Sequence, residues 1–469
     1  MLVFEAKKSI LVFVVGIFLI VSQVLVTSET NVGILEKKNE FSSAYTTSGV
    51  EILLGGDYIF HDVTVWENID QSWEEDYSFE IYDPGWGLIY DIVIADIDGD
   101  NMQETIVANS GSMIHIYEHD GDGMVLAYNL THPSWGDGTQ VISIAVGDLD
   151  NDDGPNLEVL AATFSSDIHS VVFKKVGDSY KPVFNITSSA FGSICAIGDM
   201  DNNGDNEFIV TEQGIGFDGV SRIRLFDWQT DTWINIRNYS FVLGEFNNNI
   251  QQVQIVDIDN DDENEVLVNQ DHEFVHVLEY VGGVFVKSWS CSLLDGIINC
   301  AIAGDITNDG LIDIVVPDPL MDLIYIYETV EGSIVNTFNI SFVHHNHWYS
   351  SGYTCMDIGD LDGDDQNEWV FVHWNETAFP HEWITIFRND TVLQEGPTGY
   401  LYASTVAIGN YDNDEAESIT VTTSQTTTST NSTTNGTTTF PIPLEILAIV
   451  IAVPVVLLVF AFAIKRQRG

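Results

Sequence analysis

The sequence predicts an all-β fold, a seven-bladed β-propeller closed by N-terminal strands, followed by a C-terminal transmembrane helix. Three observations carry this expectation. An acidic loop recurs seven times at a spacing of roughly fifty residues, the mark of one small unit repeated. Each copy lies between short apolar, β-branched runs. The last copy has no room after it for the strands that would complete its unit.

The copies begin at Asp96, Asp148, Asp199, Asp257, Asp305, Asp360 and Asn410. Oxygen-bearing side chains recur at positions 1, 3, 5 and 9, which is the donor set that a hard cation such as calcium needs. The first copy supplies Asp96, Asp98, Asp100 and Glu104. The second supplies Asp148, Asp150 and Asp152, with a Gly-Pro insertion that displaces the last acid to Glu158. Asp199, Asp201, Asn203 and Glu207 form the third set, and Asp257, Asp259, Asp261 and Glu265 the fourth. Thr307 interrupts the fifth, leaving Asp305, Asp309 and Asp313, whereas Asp360, Asp362, Asp364 and Glu368 make a full sixth. The seventh begins with Asn410, carries Asp412 and Asp414, and has Glu417 one position early. Five to seven structural calcium sites are expected. Position 2 is apolar throughout, position 4 is Gly or Asn, and position 6 is usually Asn, Asp or Gly, residues that tolerate positive φ. An EF-hand would place its last acid at position 12 between helices, so that motif is excluded.

The loop DxDxDGxxD between apolar strands resembles the FG-GAP/VCBS repeat, the unit of the integrin α-subunit β-propeller, over roughly residues 50–420. The resemblance implies calcium in the hairpin between the first and second strands of each blade, with structural duty. It does not imply integrin-type signalling, because no further ectodomains follow and the tail KRQRG is too short for the juxtamembrane motif.

After each loop come a second strand, a third ending in an aromatic (MIHIYEH, FVHVLEY, LIYIYET) and a fourth (MVLAYNL, VFVKSWS). Four short antiparallel strands, repeated, make a propeller blade. In the N-terminal stretch, Val63–Glu67 reads like the third strand Ile114–Glu118, and residues 77–82 read as a fourth. The last blade is therefore completed from the N-terminus. Its second strand is either Glu51–Gly55 or Ser418–Thr422.

Lys7 and Lys8 precede an apolar run, Ile10–Val26, and then small polar residues, the order of a secretory signal, either cleaved after Ser28 or retained as an anchor. The expected organisation is a signal peptide over 1–28, a linker over 29–44 and the propeller over 45–419. A Thr/Ser-rich stalk over 420–443, a transmembrane helix over 444–464 and a cytoplasmic tail over 465–469 follow. Within the helix, Ile446–Ile464 is uncharged and long enough to span a bilayer, and the basic residues after it favour a cytoplasmic C-terminus. The chain reads as a single-pass type I protein of the cell membrane with an extracellular propeller. Sequons at Asn129, Asn185, Asn238, Asn339, Asn375, Asn389, Asn431 and Asn435 agree with that placement. The first four fall at fourth strands, where a glycan would block edge pairing.

The formal charge of −56 excludes nucleic acid as a partner. Seven divalent ions would cancel only about 14 of these charges, and the excess fits either cation-bridged surfaces or a saline habitat. Of the four cysteines, Cys195, Cys300 and Cys355 read as small buried residues of first strands. Cys291 and Cys300 are near enough in sequence to be considered for a disulfide.

The face opposite the acidic loops is rich in aromatics: Trp86, Trp135, Phe191, Trp348, Tyr349 and Tyr400. Its densest patch combines His344, His345, His347, Trp348 and Tyr349 with His373, Trp374, His381 and Trp383. Such a rim suits stacking on a sugar or binding a peptide, or, through its histidines, a transition metal. No catalytic motif is present: there is no GxSxG, HExxH or phosphate-binding Gly loop. The expected function is adhesion or recognition of an extracellular protein or glycan. A structural envelope role and a polysaccharide-cleaving activity are the alternatives.

Overall fold

The computed structural model describes residues 50–410 apart from segments between strands. The chain divides into two compact units, Met1–Ser418 and Ile419–Gly469, and only the first contains described residues. The expected signal peptide, stalk and transmembrane helix lie outside them. Among the described residues no helix is long and apolar enough to cross a membrane.

Among the described residues, twenty-eight strands form seven four-stranded antiparallel sheets. Six blades are continuous in sequence: 89–130, 140–186, 191–241, 250–292, 302–341 and 356–397. The seventh joins Ala403–Gly409 to Glu51–Gly56, Asp62–Ile69 and Ser72–Glu80. Glu51–Gly56 is thus its second strand, paired Glu51↔Gly409 through Gly56↔Ala403. The fourth strand, expected over 77–82, starts earlier because the third runs on to pair Ile69 with Ser72.

Second strands are buried almost throughout, as in Glu104–Asn109 and Glu265–Gln270, with Phe164, at the end of blade two's, the exposed exception among the described side chains. Their side chains alternate between two neighbours, because successive strand residues point to opposite faces. Ile106 and Ala108 face blade two, whereas Val107 faces blade seven. The core is accordingly seven apolar clusters, one per junction between blades. The loops' second positions fill them: Ile97, Leu149, Ile306 and Leu361 are fully buried.

Around the axis the first strands interlock. A Cβ at Gly198 would stand 2.6 Å from Ile255 Cγ2, and one at Gly304 2.6 Å from Ile358 Cδ1. Gly147 receives Ile197, Gly359 receives Ile408, and Gly409 receives Ile94, closing the ring. Side chains also reach across these edges. Asp91 accepts the N–H of Ile144 at 2.9 Å and Asp357 that of Ile408 at 2.8 Å. Gln254 pairs with both the N–H and the carbonyl of Ala303.

Cys195 is a buried residue of the first strand Phe191–Gly198, as expected, but the other cysteines depart from expectation. Cys300 is bonded to Cys355, tying blade five to blade six, while Cys291 and Cys195 are free. Cys300 and Cys355 stand at the same place in consecutive blades, five residues before each acidic loop, which is why they meet. Trp135 also differs from its expected place on the open face: it is buried and packs edge-on against Phe173 at 5.6 Å.

Candidate metal centres

Each of the first six acidic loops joins the first strand of a blade to the second, and the backbone is shaped by the residues read from sequence. Position 4 (Gly99, Asn151, Asn202, Asn260, Asn308, Gly363) has φ between 51° and 76°. Position 6 is also left-handed at Asn101, Gly204, Asp262, Gly310 and Asp365, with φ from 65° at Asp365 to 94° at Gly204. These turns fold the chain around the first carboxylate. Asp96 accepts the N–H groups of Gly99 and Asn101 at 2.7 and 2.9 Å, and Asp360 those of Gly363, Asp364 and Asp365. Asp257 and Asp305 close their loops in the same way. Position 5 accepts the N–H two residues on, as Asp100 does from Met102 and Asp261 from Glu263.

The ninth-position acid opens the second strand and is sunk beneath the loop. One of its oxygens accepts the N–H of the apolar second residue. The pairs are Glu104 with Ile97, Glu158 with Leu149, Glu207 with Met200, Glu265 with Ile258, Asp313 with Ile306 and Glu368 with Leu361, at 2.8–3.1 Å. None of these acids is more than 4% exposed. Burial pushes the Glu104 and Glu265 carboxyls up to about 7, with loop carboxylates adding to it. Burial likewise raises Glu207 to about 8 and Asp313 to about 6. An acid so placed must hold a proton or face a cation.

Positions 1, 3 and 9 converge. In Asp96–Asp98–Glu104, Asp148–Asp150–Glu158, Asp199–Asp201–Glu207, Asp257–Asp259–Glu265 and Asp360–Asp362–Glu368, one oxygen from each residue lies within 4.8 Å of the others. Buried oxygens of Asp98, Glu207 and Asp259 have no hydrogen-bond donor. All-oxygen, anionic donors with unsatisfied lone pairs fit a hard cation. The position-5 side chains Asp100, Asp152, Asn203, Asp261, Asp309 and Asp364 stand outside these trios. Asp305, Asp309 and Asp313 form none among the described residues, Thr307 having replaced the acid of position 3. Asp412 and Asp414 lie outside the described residues.

Three features were missed in the sequence. Glu51, 1% exposed, opens the second strand of blade seven opposite Gly409, the place that Glu104 holds opposite Ala95. The seventh repeat thus takes its ninth-position acid from the other end of the chain, a link visible only in the likeness of EILLGG to ETIVAN. Lys174 reaches Asp150, Asp152 and Glu158, and Arg388 reaches Asp362, Asp364 and Glu368. Neighbouring loops are also stitched together. Asn206, Asn264 and Asn367 donate to the carbonyls of Asp148, Asp199 and Asp305 at 2.7–3.2 Å.

Of the His/Trp-rich patch, His373 and Trp383 are cross-strand partners. His373 is buried, its Nε2 2.8 Å from Thr385 Oγ1, and Trp383 is half-buried. Trp374 ends the second strand of blade six. His344, His345, His347, Trp348, Tyr349 and His381 lie outside the described residues.

An FG-GAP-like repeat family model matches residues 96–157, which span the first two acidic loops. No curated protein matches the sequence. Among solved structures, BBS1N in complex with ARL6DN, soaked with lead, is 14% identical. That match covers 74% of this chain and 93% of that one, with a TM-score of 0.48. The mercury-soaked form of the same complex is also 14% identical, over 75% and 95% of the two chains, with a TM-score of 0.46. Likeness at this distance carries no argument about ligand or partner.

Proposed function

For this chain of FG-GAP-like repeats folded as a seven-bladed propeller, we propose a calcium-stiffened recognition module displayed outside the cell. One observation carries the calcium part. A fully buried acid such as Glu207 spends one oxygen on a backbone N–H and leaves the other without a donor beside Asp199 and Asp201. Calcium would supply the missing charge, and the acids of positions 1, 3 and 9 would hold it.

The extracellular part rests on sequence: the leader-like N-terminus, the Thr/Ser-rich tract and the apolar run before the basic tail. The Cys300–Cys355 disulfide supports an oxidising compartment. Asn129, Asn185, Asn238 and Asn339 stand exposed on outer strands, as glycan acceptors should. Asn389 differs, since its amide is placed to donate to the carbonyls of Ile306 and Thr307, and a glycan there would break both bonds. Ligand recognition is assigned to the face opposite the loops, through the rim of blade six.

Thermal unfolding of the full chain in millimolar calcium and in chelator tests the first part. A large fall in Tm on chelation is expected, and an unchanged Tm would remove calcium from the reading. Binding to a glycan array, lost on joint substitution of Trp348 and Trp374, tests the second. Product released from a polysaccharide panel would favour an enzyme instead.

A further inference from the structure

One residue of each third strand faces the ninth-position acid across the sheet. In blade five the pair is in direct register, Asp313↔Glu328. Elsewhere it lies one step beyond a register pair: Thr105↔Tyr117 brings Glu118 opposite Glu104, and Phe208↔Phe226 brings Asp227 opposite Glu207. Val266↔Leu278 places Glu279 opposite Glu265, and Ile52↔Trp66 places Glu67 opposite Glu51. Five blades therefore add an acid where acids already crowd. The remaining two have a base there. Val159↔Phe173 sets Lys174 opposite Glu158, and Trp369↔Phe387 sets Arg388 opposite Glu368.

Both bases enter the loop. Lys174 Nζ bonds Asp150, lies 2.8 Å from Asp152 and is 3.3 Å from Glu158. The Arg388 guanidinium is 2.7 Å from Asp362 and 3.0 Å from Asp364, and it also bonds Glu368. Each base takes a carboxylate from positions 3, 5 and 9 of its own loop, where an ion would draw its ligands. At the fourth loop, where Glu279 stands in place of the base, Asp259, Glu265 and Glu279 line a cavity of about 190 Å³. Lys175 is a different case, since it meets the first loop from the next blade through Asp98 alone, at 2.9 Å.

We propose that Lys174 and Arg388 are built-in replacements for the divalent ion, so that the second and sixth loops stay closed without one while the first, third and fourth loops, which face an acid and keep the converging trio, take calcium. A divalent ion drawing on the carboxylates that an ammonium or guanidinium already contacts would be repelled by it at short range, and this holds at the second loop even though Asp148 Oδ1 and Asp150 Oδ1 there have no donor. The inference rests on the calcium reading above, and one experiment separates the two.

The full chain, equilibrated with millimolar calcium and freed of excess ion, is assayed for calcium per chain by elemental analysis. Lys174→Glu and Arg388→Glu, which install the acid of the other blades, are compared with it. Each variant should hold one calcium more than the wild type, and its Tm should fall further on chelation. Lys174→Gln and Arg388→Gln, which remove the charge without adding an acid, should show the same gain if a Glu variant does not fold. An unchanged calcium count in folded variants would overturn the proposal. No calcium in any protein would instead remove the reading beneath it.

Discussion

Glu207 and His276 show how burial turns single side chains into sensors. Glu207 has one partnered and one unpartnered oxygen in a wholly buried site. Glu207→Gln keeps the size and the oxygen that meets Met200, but it removes the charge a cation needs. Its Tm should therefore fall in calcium yet hold or rise in chelator, narrowing the gap between the two melting curves. His276 is stacked on Phe241 and Phe274 with Nε2 3.1 Å from Gln270 Oε1. Burial, with Lys287 adding to it, pulls its pKa down to about 4. The unfolded chain then binds the proton more readily, so the stability His276 contributes is whole above about pH 6.5 and fades toward pH 4. The loss is on the order of 3 kcal/mol. His276→Gln should flatten the acid limb of a urea-denaturation series between pH 6.5 and 4. The residue types of the loop were legible in sequence because turn chemistry is local. The burial of His276 was not, because it depends on a neighbouring blade.

At the scale of the element, the first strands carry the ring. Gly198→Ala would press its methyl into Ile255, at 2.6 Å from Cγ2. Such overpacking costs roughly 1–3 kcal/mol. Chemical denaturation of Gly198→Ala, Ile255→Ala and the double variant should show the second change, which removes Cγ2, relieving part of the first. An additive cycle would mean that the two do not meet. The alternation of apolar residues announced the strands, since a period of two is a property of the strand itself. Asp91 and Asp357 were silent. A lone acid in a strand reads as a solvent-facing residue, yet each accepts an N–H from the next blade. Lys174 and Arg388 were silent too, for their partners lie in the acidic loop and on the second strand, and only the comparison of seven third strands exposes them.

Over the whole molecule, closure is the organising fact. Repetition made it legible, since seven loops with six complete units leave one blade to be assembled from both ends. The choice of Glu51–Gly56 as its second strand had to come from pairing, because two apolar segments suited the place equally. The Cys300–Cys355 bond adds a second tie, across 55 residues and between blades five and six. Cys300→Ser with Cys355→Ser should lower stability by about 2–4 kcal/mol without changing the fold, read by calorimetry beside the wild type.

The split blade also sets an order of events during synthesis. Six blades are finished as soon as their own four strands have been made. Glu51–Gly56, Asp62–Ile69 and Ser72–Glu80 must wait for Ala403–Gly409, roughly 320 residues later. At about 10 residues per second that delay is on the order of half a minute. Throughout it Ile52, Leu53 and Leu54, fully buried in the finished ring, lack the strand that will cover one edge. An apolar edge left open that long is a template for pairing with a second nascent chain. The ring's seam is therefore where a holding chaperone would be needed first, and where crowding of newly made chains would do the most harm.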